Sequence, residues 1–232
     1  MADFRQIKAI AFDLDGTLID SVPDLAAAVN ATLQELDLPL TTAEQARSWV
    51  GNGAEMLMRR ALSFALGTDV SEAKLAASMP RFMHFYKQHL QQHSRLYDDV
   101  ILVLKQLSAA GFKLAVVTNK PYEFTIPLLK AFKLDSYFSI VLGGDSLAKM
   151  KPDPLPLAHI LQQWQLTPAQ LLMVGDSKND ILAAKAAGIA SIGLTYGYNY
   201  GEDIALSSPA AVCEQFNEIS ALMNVTAESM EQ

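Results

Sequence analysis

Five short apolar runs, at 7–12, 114–117, 139–142, 171–174 and 191–194, constrain this chain more than any other feature. Several lack the period-two alternation of a half-buried strand, which is the pattern of a parallel sheet covered by helices on both faces. Helical stretches at 99–110, 122–131, 155–163 and 179–187 precede the last four runs, and Gly111 and Gly188 fall where helices should stop. Strand, helix, strand at this spacing predicts an α/β fold: a Rossmann-like three-layer sandwich on a parallel sheet.

The interval between the first and second runs is different. Helical composition fills 25–36, 42–49, 55–66 and 71–92, and pairs such as Leu25/Val29 and Met58/Leu62 have the i,i+4 spacing of an apolar face. The interval is too long for one crossover helix. It reads as an inserted all-helical cap of residues 20–96 on a core made of 1–19 and 97–232; the plainer alternative is that these helices extend the core. The polar, acidic tail from Asn224 looks dispensable.

A chain of 232 residues with 50% hydrophobic residues can bury a core without disulfides or a structural metal. The net charge of −7 and the lack of any basic run exclude an electrostatic footprint for nucleic acid. The short apolar run near the start is flanked by charge, so neither a signal peptide nor a membrane span is expected, and cytoplasm is the expected compartment. Cys213 stands alone, so no internal disulfide can form.

Ligands of an open α/β sheet sit beyond the carboxyl ends of its strands, and here those ends are polar. The first carries Asp13 and Asp15, which point to one side of extended chain, followed by Gly16, which permits a sharp turn. Like charges so close are costly without a cation. A divalent ion can compensate the pair and leave one Asp13 oxygen free to attack phosphorus; the bland reading is a solvated acidic strand end. After the second run, Thr118 and Asn119 form a turn that can present donors to an anion. Lys151, held between Met150 and Pro152, can offset carboxylates and phosphoryl oxygens, with Lys149 competing on composition alone. Asp176 ends another strand and Asp180 lies in the first turn of the next helix, hard oxygen donors that suit Mg²⁺. No GxxxxGK[ST] or dinucleotide glycine fingerprint follows the first strand, and the four histidines have no metal-ligand spacing.

Taken together, Asp13-Leu14-Asp15-Gly16-Thr17, Thr118-Asn119, Lys151-Pro152 and Gly175-Asp176 with Asp180 resemble, in order and spacing, the haloacid dehalogenase-like hydrolase superfamily, and the helical insertion resembles the cap of its first subclass. Val50-Gly51-Asn52-Gly53-Ala54, Gly143-Gly144-Asp145 and the Tyr196–Tyr200 segment are similar to the bacterial phosphoglycolate phosphatases of that superfamily. The resemblance implies Asp13 as nucleophile and Asp15 as general acid and base. It implies Mg²⁺ held by Asp13, the Asp15 carbonyl and Asp176, and phosphate bound by Thr118, Asn119 and Lys151. Asp180 would orient the metal shell or Lys151.

Superfamily dehalogenases lack the acid/base aspartate, so Asp15 moves the expectation to phosphoryl transfer, with a small phosphorylated metabolite such as 2-phosphoglycolate as partner. Phosphonate-cleaving relatives use a cap lysine, and here only Lys74 and Lys87 lie in the cap, without a persuasive context. A broad sugar-phosphate phosphatase and a β-phosphoglucomutase-like phosphotransferase share the core motifs and stay open. A non-enzymatic phospho-accepting domain is the alternative of another class. Cap candidates for the substrate are Asn52 with the Gly51–Gly53 backbone, then Arg47, Arg59 and Arg60, and from the core Lys120. A monomer or homodimer is expected.

Overall fold

The structure is a computed structural model and describes residues 3–225. It opens with β1 (Ala9–Phe12), buried on both faces. A two-residue strand, β2 (Ile19–Asp20), pairs antiparallel with β3 (Arg95–Leu96). Between them lie four helices, α1 (Val22–Glu35), α2 (Ala43–Trp49), α3 (Gly53–Leu66) and α4 (Glu72–His89). The chain then runs through α5 (Val100–Ala109), β4 (Lys113–Val117), α6 (Tyr122–Ala131), β5 (Ile140–Leu142), α7 (Leu155–Trp164) and β6 (Leu171–Gly175). It closes with α8 (Lys178–Ala187), β7 (Ala190–Leu194), β8 (Ala211–Cys213) and α9 (Glu218–Leu222).

The large sheet has the order β5-β4-β1-β6-β7-β8, and every pairing in it is parallel. The chain builds outward from β1 on one side and returns to build outward on the other. The carboxyl ends of β4, β1 and β6 therefore meet at the point where the strand order reverses, the crevice that open α/β sheets use for ligands.

Alternate strand residues feed two separate apolar layers, as the pleat requires. Ile10, Phe12, Leu114, Val116, Leu172 and Val174 join Val103, Leu104 and Leu128 on one face. Ala9, Ala11, Ala115, Val117, Leu171 and Met173 join Leu157, Ile160, Ala183 and Ala184 on the other. Each fully buried aliphatic side chain of this kind contributes about 1.5–3 kcal/mol of transfer free energy.

The cap helices are punctuated locally. Thr42 and Gln45 form a reciprocal capping box at the start of α2, Ser71 caps α4, and Gly67 ends α3 in the left-handed region. Their interior, including Leu33, Met58, Leu62, Leu75 and Phe82, runs into the first layer of the sheet through Leu14, Leu18 and Ile19. The two connections of the cap are tied together by buried Asp24 of α1. Its carboxylate accepts from His93 N and Ser94 N, each at 2.8 Å, and from Ser94 Oγ at 2.6 Å.

The five expected strands, the four core helices and the helical insertion are all present. The β2–β3 ribbon and β8 escaped the sequence reading; strands of two residues carry no measurable periodicity. The tail expectation is corrected at Val225, whose side chain is buried in the core; residues 226–232 lie outside the described residues. Among the described residues, no helix is long and apolar enough to cross a membrane.

Candidate active site

The backbone of Asp13 continues the sheet by donating to Val174 O at 2.9 Å, so its side chain leaves the carboxyl end of β1 beside that of β6. The chain turns at Gly16, where φ is +89° and a Cβ would overlap the Asp176 carboxylate. Glycine is therefore required twice, for the backbone and for the approach of Asp176. Thr17 Oγ1 donates to Asp176 Oδ1 and Tyr198 N donates to Asp176 Oδ2, both at 2.7 Å. At the start of α8, Ser177 and Asp180 form a capping box, with Ser177 N donating to Asp180 Oδ2 at 3.0 Å.

Lys151 joins these groups. Its Nζ lies 3.0 Å from Asp13 Oδ1 and 2.6 Å from Asp180 Oδ1, and all three side chains are buried. Lys149 instead meets Asp153 at the surface, so Lys151 is the lysine of the two that the fold brings to the carboxylates. Oxygens of Asp13, Asp176 and Asp180 lie within 4.8 Å of one another. Burial pushes the Asp13 carboxyl up to about 7; Lys151 opposes this, while Asp180 and Asp15 add to it. Asp176 is pushed well above its ordinary value by burial, then by Asp13 and Asp180. Burial works to lower Lys151, yet Asp13 and Asp180 outweigh it and hold the ammonium charged. Three crowded carboxylates share one cation. A set of hard oxygen donors short of positive charge fits a divalent ion such as Mg²⁺.

Asp15 has its own partners: Lys120 Nζ at 2.7 Å and Ser21 Oγ at 2.5 Å, both on Oδ1. Asp13 and Asp15 thus face different lysines, although only Leu14 separates them. Thr118 lies beside both on the wall of a cavity of about 40 Å³ between the sheet and the cap. Its Oγ1 accepts from Lys120 N at 3.2 Å, which leaves its hydroxyl proton free to donate.

Asn119 also lines the cavity, with its side-chain nitrogen engaged. Its Nδ2 donates to Gly51 O and to Lys151 O, both at 2.9 Å. Asn179 Nδ2 reaches the same Gly51 carbonyl at 3.1 Å, so two core amides hold the cap loop down over the strand ends. Gly51 and Gly53 line the cavity in left-handed conformations, φ +121° and +83°. The Asn52 side chain turns away: its Oδ1 accepts from Arg60 NH2 and Tyr200 OH, each at 2.8 Å. Arg59 is bound to Glu72 at 2.7 Å, and Arg47 lies 3.4 Å from Asp20 and over the Tyr198 ring. None of the three arginines lines the cavity.

Sequence reasoning gave no role to Thr17, Ser21 or Tyr86 and left Tyr198, within Tyr196–Tyr200, between lining the rim and packing against the core. Thr17 and Ser21 follow the aspartates too closely to look like more than turn residues, and Tyr86 reads as a core aromatic of a cap helix. Tyr198 alone gave a signal, within an aromatic and glycine-rich segment. It is buried, donates to Asp20 Oδ1 at 2.7 Å and accepts from Ser21 N at 2.9 Å, fastening the loop after β7 to the first cap connection.

A family model described as haloacid dehalogenase-like hydrolase matches residues 10–194, from β1 to β7. The chain belongs to the haloacid dehalogenase-like hydrolase family. The match includes every carboxylate and lysine of the site. Among curated proteins, the phosphoglycolate phosphatase of Vibrio parahaemolyticus is 48% identical over 225 residues, covering 96% of this chain and 99% of that protein. The phosphoglycolate phosphatase of Colwellia psychrerythraea is 48% identical over 217 residues, covering 93% and 96%. Among solved structures, a predicted phosphoglycolate phosphatase from Haemophilus somnus superposes with a TM-score of 0.90 at 43% identity, covering 94% of this chain and 98% of that one. The family likeness thus extends through the cap.

Proposed function

We propose that this hydrolase cleaves 2-phosphoglycolate to glycolate and phosphate through an aspartyl phosphate on Asp13, with Mg²⁺ as cofactor. The observation that carries the reading is the placement of Asp13. Its carboxylate stands at the crossing of three strand ends, paired to Lys151 and facing Thr118, with a second carboxylate two residues away. The phosphoglycolate phosphatase relatives at 48% identity support the substrate.

In this mechanism an Asp13 oxygen attacks phosphorus as the bond to the glycolate oxygen breaks, and Asp15 gives that oxygen its proton. Water then attacks the aspartyl phosphate, Asp15 takes its proton, and Asp13 is released with inorganic phosphate. Lys151 and Thr118 donate to the phosphoryl oxygens, whose charge is greatest in the transition state. The Asn119 side chain acts through position: by holding Lys151 O and Gly51 O it fixes the lysine and the cap loop relative to each other. Asp13, the Asp15 carbonyl and Asp176 are the groups that would hold Mg²⁺, which when bound supplies positive charge against the phosphoryl oxygens. Asp180 keeps Lys151 in place.

The division into core (1–19, 97–232) and cap (20–96) belongs to the same proposal, with the β2–β3 ribbon as the connection across which the cap moves. A cytoplasmic location and a monomeric or homodimeric state accompany it. Phosphate release with Mg²⁺ from a panel of 2-phosphoglycolate, glucose 1- and 6-phosphates, phosphoserine and nucleoside monophosphates tests it. A kcat/KM for 2-phosphoglycolate at least tenfold above the others, about 1.4 kcal/mol of transition-state preference, is expected. A flat profile refutes the substrate, and isomerised sugar phosphate without free phosphate refutes hydrolysis.

A further inference from the structure

The cap wall of the cavity is made of Leu25, Val50, Gly51, Gly53, Ala54 and Leu57, with one polar side chain, Tyr86 of α4. Tyr86 is 1% exposed, and its hydroxyl has no hydrogen-bond partner. Leaving a buried hydroxyl unpaired costs about 1–3 kcal/mol, so such a group marks a place where a partner is missing. Its ring is clamped between Phe82, stacked at 5.7 Å, and Phe124 at 4.7 Å, and cannot turn easily to find another.

A cation, Lys120, lies over the ring. The ammonium sits 5.0 Å from the centre of the Tyr86 ring and, like the ring, lines the cavity. Its salt bridge to Asp15 uses one of three donors. Around the Tyr86 phenol, Asp15 and Asp24 are the anions; burial first, and then these two, push its pKa well up, so it is a donor at every working pH. Lys151 and Thr118 already serve the phosphoryl end next to Asp13. An ammonium with donors to spare and an unpaired phenol are what remain for the rest of the substrate.

We infer that Tyr86 and Lys120 form the subsite for the carboxylate of the leaving group, with the Tyr86 hydroxyl donating to it and Lys120 supplying the counter-charge. The inference rests on the proposed 2-phosphoglycolate reading and gives it a structural origin. Tyr86 comes from the cap and Lys120 from the core, so an anionic leaving group bridges the two and is recognised only when the cap is down. The other side chains of the cap wall are apolar and give a second hydroxyl no side-chain partner, which disfavours sugar phosphates.

The test compares kcat/KM for 2-phosphoglycolate with that for ethyl phosphate, which has the same carbon count and no carboxylate, in the wild type and in Tyr86→Phe. The substitution keeps the ring and its stacking, so the fold is preserved. The ratio of the two kcat/KM values is expected to fall at least tenfold in Y86F, mostly through KM, and inhibition by free glycolate is expected to weaken in parallel. A ratio within threefold of the wild type, with glycolate inhibition intact, overturns the subsite while leaving the substrate reading in place. A wild type that does not prefer 2-phosphoglycolate to ethyl phosphate overturns both.

Discussion

Lys151→Met tests the electrostatic account of the site without invoking turnover. The lysine is 2% exposed and contacts Asp13 and Asp180, themselves buried, at 3.0 and 2.6 Å. Methionine retains most of its volume, so the loss is electrostatic. Removing one partner of a buried ion pair typically costs about 3–5 kcal/mol, because the remaining charge is left uncompensated.

The pH dependence follows from Asp13. Its carboxyl is raised from 3.8 to about 7 even with Lys151 opposing the shift, so without the lysine it moves higher still. A carboxyl raised in the folded state holds a proton that the unfolded chain has lost, and stability then falls as pH rises toward the folded pKa. In the metal-free wild type that fall ends near pH 7. In the variant it continues, at about 1.4 kcal/mol per pH unit. The penalty of K151M is therefore expected to grow by about 1.4 kcal/mol between about pH 6 and pH 8. Urea denaturation of both proteins in EDTA at the two pH values measures it. A penalty below about 1 kcal/mol, or one equal at both pH values, refutes the claim that Lys151 is what makes the buried carboxylates tolerable.

Other perturbations address the remaining groups. Asp13→Asn is expected to abolish turnover, since an amide is a poor nucleophile, while raising the stability of the metal-free protein; substantial phosphate release by this variant defeats the covalent mechanism. Asp15→Asn should slow esters of poor leaving groups far more than a highly activated ester such as 4-nitrophenyl phosphate, and equal losses on both argue against proton donation to the leaving group. Gly16→Ala puts a Cβ into the Asp176 carboxylate at φ +89°, and a Mg²⁺ titration followed by thermal shift should show affinity falling at least tenfold; unchanged affinity removes Asp176 from the metal site. Mg²⁺ is expected to raise the melting temperature of the wild type more at pH 8 than at pH 6, because burial and neighbouring acids penalise the ionised forms of Asp13 and Asp176 in its absence. The reverse order contradicts that reading.

Much of this protein is legible in its sequence because the relevant interactions are local. Each central strand is a continuous apolar run, and a run buried on both faces has few alternatives to a covered parallel sheet. The polar residues that end those runs belong to the same short segments, so Asp13, Thr118 and Asp176 could be named once the strands were, whereas Lys151 lies in a loop beyond β5 and is singled out by its Lys-Pro context and the family resemblance. The switch point then brings them together. Gly16 could be read as a turn, though its second reason, the closeness of Asp176, lies 160 residues further on.

What only the tertiary structure decided are pairings between distant segments. Only the fold shows that the Asn119 amide nitrogen spans Gly51 and Lys151, and that the Asn52 amide oxygen accepts from Arg60 and Tyr200. Lys120 and Asp15 are 105 residues apart and meet only because β4 lies next to β1. Tyr86 has the pattern of any buried helix residue, and its unpaired hydroxyl becomes visible only when the cap is folded onto the sheet. Periodicity reports which face of an element is buried, but the partner on the other side depends on strand order and cap placement. Those are fixed by the apolar packing of the whole chain, and no single segment encodes them.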